Sequence, residues 1–352
     1  MGESDTGVCA QKHLRSPPMR LAMLGGLSVI ACAVPACVAK PELHGPMPVR
    51  NNHPSQLTVM HMDPADASVL PAGRSAWRTD FAYTSLFLFG NDPVGGSWFM
   101  DGELLRGALD ARLGLGHGLQ LGIQLAGAHT SGGFLDNFVE DYHDTLGLPD
   151  QNRSTNEDDR FRVQASVGAA TLWQMDESSA ELMDLPIQLT WQLREPGLNR
   201  FGVAVRGGIE LPVGDQDDGY GNGQVDASIG TLFDYQSRCI GFNGHIQHTF
   251  AGTPRQARNT GLKFEDVTSI GLGTELPLDA GFNALVQVEW ETSTLRNLGP
   301  KTAAREQLML WVGGRYQTSP EWQLEIGFGE DLRGLASPDF TAWLGIIYKP
   351  GA

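Results

Sequence analysis

The stretch that most limits what this chain can become is Phe201–Leu211, FGVAVRGGIEL. Phe201, Val203, Val205, Ile209 and Leu211 share one parity, while Gly202, Ala204, Arg206, Gly208 and Glu210 share the other. Successive side chains of a strand face opposite surfaces, so this segment has one apolar and one charged face. The alternation returns between Trp77 and Tyr348 in about 12 segments of roughly ten residues, the length a tilted strand needs to cross a bilayer.

The polar rows carry Arg78, Asp80, Arg106, Asp110, Arg112, Arg206, Glu210, Asp226, Asp234, Glu289, Glu291, Arg315, Glu325 and Asp331. In a solid core each of these costs several kcal/mol unless paired and hydrogen-bonded. A closed barrel with lipid outside and a wet lumen inside suits both rows. The predicted class is therefore all-β, an up-and-down antiparallel transmembrane barrel of about 12 strands. The alternative is a soluble lipocalin-like barrel with its charges outside, a fold that rarely needs so many strands.

Loop lengths set the predicted topology. Short turns fall at 116–118, 195–200, 236–239, 277–281 and 318–321. Long connections fall at 90–102, 129–181, 212–223, 252–265, 294–304 and 333–338. Their alternation fits a meander with short periplasmic turns, long external loops and both ends in the periplasm. Arg160–Trp173 looks strand-like, but a crossing there inverts every later loop, so it belongs to the 129–181 excursion.

Before the barrel, residues 1–39 read as a secretory signal. Lys12, Arg15 and Arg20 precede the apolar run Leu21–Val34, with small Ala36 and Ala39 beyond, and Met19 is an alternative start. Cys32 follows Ser28, Val29, Ile30 and Ala31, a lipobox-like run, so lipidation at Cys32 stands beside ordinary cleavage after Ala36 or Ala39. At most one intramolecular cysteine pair remains after the leader, and no disulfide framework. The remaining chain carries 22 basic and 39 acidic residues, a formal charge of −17, which argues against nucleic acid. Residues 40–75 hold Pro41, Pro46, Pro48, Pro54, Pro64 and Pro71, too many for a regular element. They are expected to lie under or inside the barrel of residues 76–349, with one short strand at Gln56–Met62.

The last strand, with Trp343-Leu344-Gly345-Ile346-Ile347-Tyr348, resembles the C-terminal signal read by the bacterial barrel-insertion machinery, although Lys349–Ala352 follows it. Outer-membrane lipids and lipopolysaccharide are the other expected partners.

Within the excursion, Gly133-Phe134-Leu135-Asp136 leads to His143-Asp144 and Gly147. Together with Gly45-Pro46-Met47-Pro48-Val49-Arg50-Asn51, these residues resemble a Gram-negative envelope family known as domain of unknown function 3187. The resemblance spans nearly the whole mature chain and implies an outer-membrane barrel. It implies no activity and no catalytic residues.

Gly133–Leu146 is predicted to be a short helix, because Phe134, Phe138, Tyr142 and Leu146 recur every four residues. Asp136, Glu140 and Asp144 form a second face. Such a helix either caps the barrel mouth or lies at the lipopolysaccharide interface. The cap is favoured, since interfacial helices carry Lys or Arg on their polar face.

Motifs for chemistry are few. Asp136, Glu140, His143 and Asp144 have the donors for a metal, but read better as a solvated face. The stretch VGDQDDGYGNG resembles a calcium loop, yet Tyr220 stands where an EF-hand needs glycine. His129 and Ser131 near a rim suggest a lipid hydrolase only weakly, since no Gly-x-Ser-x-Gly motif surrounds any serine. No cofactor is expected. Two readings of function remain: a channel or passive transporter for small solutes, and a closed structural or lipid-modifying barrel.

Overall fold

The structure is a computed structural model that describes residues 44–351 apart from 93–94, 148–152, 154–155, 280 and 334–335. The expected signal segment, its lipobox and Cys32 lie outside the described residues.

Fifteen strands form one sheet. They are β1 (Ser75–Asn91), β2 (Gly96–Gly116), β3 (Leu119–Ser131), β4 (Arg162–Val167), β5 (Ala170–Met175), β6 (Ser179–Leu182), β7 (Leu185–Arg194) and β8 (Phe201–Leu211). There follow β9 (Asp226–Gln236), β10 (Gly241–Phe250), β11 (Val267–Asp279), β12 (Phe282–Glu291), β13 (Gln307–Gln317), β14 (Trp322–Asp331) and β15 (Phe340–Tyr348). The helices are α1 (Pro54–Leu57), α2 (Asp136–Leu146) and α3 (Arg255–Thr260). Twelve strands, β1–β3 and β7–β15, make a closed antiparallel barrel. Pairs such as Phe81 with Leu344 join the first strand to the last, so the barrel has no free edge.

Five connections form the short-turn end. The tightest reverses β2 into β3 through Gly116, His117 and Gly118, all at positive φ (84°, 53° and 75°). At the opposite end, one expected connection proves to be a hairpin. Residues 90–102 are not a long loop, because β1 and β2 keep pairing through Phe89–Phe99 and Gly90–Trp98. Apolar Leu86, Leu88, Trp98 and Met100 carry that ribbon over the mouth, where they are buried. The excursion contributes a second hairpin, since β4 pairs with the upper part of β2 and β5 with β4. β6 continues the line of β7 beside the top of β3.

The outward rows present Trp77, Phe81, Leu121, Trp191, Phe201, Ile229, Phe242, Leu272, Trp322 and Ile326, all exposed. In a water-soluble fold this belt would have to be covered; on a barrel that crosses a bilayer it faces hydrocarbon. No helix among the described residues is long and apolar enough to cross a membrane.

Candidate functional site: a lumen filled by residues 44–70

The inside of the barrel is occupied by the chain's own N-terminal segment. The proline-rich stretch rises along one side of the lumen, turns at α1, and returns along the other. Its contacts trace the path. The backbone N–H groups of His44 and Gly45 donate to Glu275 Oε2 near the short-turn end, at 2.8 and 3.1 Å. Met47 N–H donates to Gln287 at 3.1 Å. Asn51 reaches Gln307, and Asn52 reaches Thr84 Oγ1 at 2.8 Å, near the long-loop end. On the way back Met60 N–H donates to Asp226 at 3.0 Å, Ala67 N–H to Asp234, and Leu70 N–H to Gln120 at 3.0 Å.

The expected strand at Gln56–Met62 is replaced by a helical turn. Pro54 sits in its first turn, where no N–H is needed, and the His53 ring accepts from Ser55 N–H as the cap. A strand there would need a partner edge, and every wall strand already pairs on both sides. The segment is therefore held by wall side chains and not by sheet hydrogen bonds.

Apolar residues add to the fit. Met47 and Val49 pack with Trp311, Trp343, Leu285 and Met309. The wall leaves a slot for Met47 at Gly313, where a Cβ would lie 2.6 Å from its sulfur. Gly45 turns at φ 89°, and a Cβ there would meet Asp66 at 2.8 Å.

The charged rows point into this assembly. Arg315 donates to Glu275 at 2.8 Å, to Glu325, and to Gly45 O at 3.0 Å. Arg78 pairs with Glu325 and lies 3.7 Å from Asp80; Arg106 is 3.5 Å from Asp80 and donates to Gln124 at 2.8 Å. Arg206 holds the carbonyls of Asp63 and Met62, at 2.7 and 3.0 Å. Arg112 pairs with Asp110 at 2.7 Å, Asp226 accepts from Met60 and Gly252, and Glu289 lies 3.3 Å from His245. Glu210 is buried near the mouth.

Around mid-height, Arg50 Nε, His61 Nε2, Asp63 Oδ1, Arg106 Nε, Arg206 Nε, His245 Nε2 and Glu291 Oε1 are buried without a hydrogen-bond partner. Buried polar atoms are ordinarily satisfied by protein or water, so this part of the lumen is polar rather than an apolar core. Burial lowers the His44 and His53 imidazoles to about 3, with Arg315 adding to the effect at His44. Burial, then Arg50 and other neighbouring cations, holds His61 well below its ordinary value. Asp66 is shifted upward by burial.

The long-loop end is closed differently. Val163 and Ala165 of β4, Trp173 and Met175 of β5, Phe264, Leu295 and Leu298 pack onto Leu86, Leu88, Trp98 and Met100 as an apolar roof. Several cavities remain, and two of them bear on the segment at different heights. One, of about 230 Å³, opens at the short-turn end between residues 66–71 of the segment and Arg78, Arg112, Arg315 and Lys349. The other, of about 20 Å³, lies beneath the roof among Phe161, Met175, Tyr220, Pro54 and Leu57. The segment lies between them.

The remaining sequence candidates gather outside the lumen. Gly133, at φ 81°, leaves no room for a Cβ above the Glu103 carboxylate, which accepts from the N–H groups of Phe134 and Leu135. Asp136 pairs with Arg153, which also reaches Asp339 at 3.0 Å. His143 Nε2 is 3.8 Å from Glu330, Asp144 is exposed, and Gly147 ends α2 in the left-handed conformation. The helix does not cap the mouth. Tyr142 and Phe138 pack on Phe328 and Phe340, which face outward, so α2 lies against the outer wall of β14 and β15. The aromatic residues that the cap reading turned toward the lumen find their partners in the outward row.

Among the described residues no group of three or more metal-ligating side chains forms. Asp217 pairs with Arg255. The His129 ring bonds the Ser179 carbonyl at 2.9 Å, and no serine hydroxyl. Cys239, in the β9–β10 turn, is disulfide-bonded. Residues 44–70 lie inside the barrel, one of the two placements expected for the proline-rich stretch; what the sequence did not give is their path and partners, the one signal being a run of buried-type residues (Met47, Val49, Leu57, Met60, Met62) between prolines.

Lipid-facing rows, a closed 12-strand meander and an occupied lumen define a transmembrane barrel of the outer-membrane class. The chain belongs to the family described as protein of unknown function (DUF3187), whose model matches residues 23–349. No curated protein matches it. Among solved structures it is similar to the COG4313 outer membrane channel from Pseudomonas putida F1, at 13% identity and TM-score 0.53 over 82% of this chain and 100% of that one. The NanC porin aligns at 7% identity and TM-score 0.42, over 78% of this chain and 99% of that one. The P. putida toluene transporter TodX aligns at 10% identity and 0.40, over 80% and 91%.

Proposed function

We propose that this protein is a passive outer-membrane channel for small solutes, held closed in this conformation by residues 44–70. The carrying observation is the segment itself, which fills the lumen between the cavity at the short-turn end and the apolar roof. Three features support it. The segment shares no sheet pairing with the wall, so its departure breaks no strand. The wall behind it is charged and polar, a surface that water can cover once the segment leaves. The similarity in fold to a channel from P. putida agrees with the reading.

The test is conductance in planar bilayers. The chain lacking residues 44–70 should conduct steadily, where the intact protein opens rarely. A second variant avoids dependence on refolding of the deletion. Ser55 and Thr294 hydroxyls are 2.8 Å apart, so Ser55→Cys with Thr294→Cys can tie the segment to the wall. Oxidation should abolish openings and reduction restore them. Silence of the intact, deleted and reduced proteins alike rejects the channel and favours a closed structural barrel.

A further inference from the structure

The excursion helix α2 has a face that none of the described residues covers. Successive residues advance about 100° around a helix. On that wheel Asp136, Val139 and His143 point to the barrel wall and are buried. Phe138 and Tyr142 form one flank; Asn137 and Asp144, about 120° away from Phe138 on the same wheel, form the other. Just before the helix, Phe134 is 69% exposed, and Phe138 is 51% exposed.

The helix is fastened firmly enough to present these rings in one place. Glu103 holds the backbone at Phe134 and Leu135. Arg153 ties Asp136 to Asp339 across β15. Tyr142 donates to Glu330 at 3.4 Å. Phe134 rests 5.4 Å from Tyr83, and Phe138 5.6 Å from Phe340, both outward-facing residues.

Height decides what those rings touch. On β14 the outward row runs over seven residues, from Trp322 to Phe328, before α2 covers it. On β10 the outward row runs over nine residues, from Phe242 to Phe250, and on β8 over nine, from Phe201 to Ile209, with both end residues exposed on each. The helix thus lies over the upper rows of the belt on β14 and β15, and its own aromatic flank continues the apolar surface directly above Phe81, Leu344 and Ile326. Its acidic flank turns the other way.

We propose that α2 is seated at the outer-leaflet boundary of the membrane, with Phe134 and Phe138 in contact with lipid acyl chains and Asp144 in water. The continuity of its apolar flank with the lipid-facing belt selects lipid as the occupant. With no lysine or arginine on the helix, the contact is made by aromatic area and not by attraction to anionic headgroups. Each ring placed in hydrocarbon contributes through its buried area alone.

Nitroxide labels at Phe138→Cys, Phe134→Cys and, as the opposite flank, Asp144→Cys test this in vesicles of phosphatidylethanolamine and phosphatidylglycerol. Oxygen collects in hydrocarbon and a charged nickel chelate stays in water. The oxygen-to-nickel accessibility ratio should be severalfold higher at positions 134 and 138 than at 144. Equal ratios at the three positions overturn the proposal. So does spin–spin broadening at 138 in fully labelled protein that disappears on dilution with unlabelled protein, which would put a second copy of this chain on the face. The readout is independent of conductance, so it stands or falls apart from the channel reading.

Discussion

Between the short-turn end and mid-lumen, residues 44–70 donate hydrogen bonds to Glu275, Gln287, Asp226 and Gln120 of the wall and accept one from Arg206. At the long-loop end, it meets the loops through Leu86, Trp98, Met100, Trp173 and Phe264. The two closures differ in what their removal exposes. Lifting the segment uncovers polar groups that water satisfies at a net loss of about 0.5–1.5 kcal/mol per hydrogen bond, together with the apolar contacts of Met47, Val49 and Leu57. Lifting the roof uncovers large apolar side chains almost alone, at about 1.5–3 kcal/mol each. The segment's closure is therefore a mixed polar and apolar contact, and the roof's an apolar one.

The largest expected contrast comes from deletion. Removing residues 44–70 should open the pore, whereas removing the β4–β5 hairpin with the segment in place should leave it shut. Conductance of the two variants side by side breaks the comparison if the order is reversed.

Point substitutions sharpen it. Trp173→Ala should lower the thermal stability of the refolded barrel by about 3–5 kcal/mol through loss of core volume, with no change in trypsin cleavage after the buried Arg50. Arg315→Met leaves Glu275 buried without its cation, a change of about 3–5 kcal/mol. Cleavage after Arg50 should rise sharply there, and Glu275→Gln in the same chain should reverse part of it. A roof variant that exposes Arg50 as readily as the Arg315 variant removes the distinction.

Acidity acts on the segment's own titratable groups. His44 and His53 are lowered to about 3 when docked, and His61 also titrates well below its ordinary value. A group with a depressed docked pKa supports docking fully above about 6.5 and loses that support as pH falls towards 3, by about 1.4 kcal/mol per unit for each histidine. Asp66 is shifted upward by burial, so its protonation favours docking and offsets part of the loss. Among the segment's own groups three imidazoles outweigh one carboxyl, and on that balance conductance should rise from pH 7.5 to pH 5. A flat profile, or one that falls, rejects this sign.

The smallest effect is steric. Gly313→Val fills the slot of Met47 and should weaken docking by about 1–3 kcal/mol. A Cβ at 313 also meets the Ile326 carbonyl at 2.5 Å, so raised cleavage after Arg50 together with a lower melting temperature of the barrel is the expected pair of results.

Much of this architecture was legible in single residues. Phe201 and Arg206 sit one on each face of β8 because strand geometry allows nothing else, and Gly116–Gly118 marks its turn by backbone freedom. The helix α2 was visible in its spacing, and Gly147 in its stop. Its seat was not, because Phe138 and Tyr142 satisfy a periodicity equally well against a lumen or against Phe328 and Phe340. Residues 90–102 read as a loop in sequence because the Phe89–Phe99 pairing depends on apolar loops that arrive above it. Residues 44–70 gave the least sign, having neither periodicity nor a motif with a mechanism.

What local rules determined here is the existence of two faces and their order along the chain, since side-chain alternation is a property of every strand taken alone. The occupant of the lumen, the roof over its mouth and the outer seat of α2 were decided by closure. Only when β1 met β15 did the polar rows surround a space small enough for residues 44–70 to satisfy them, and those contacts join positions more than two hundred residues apart.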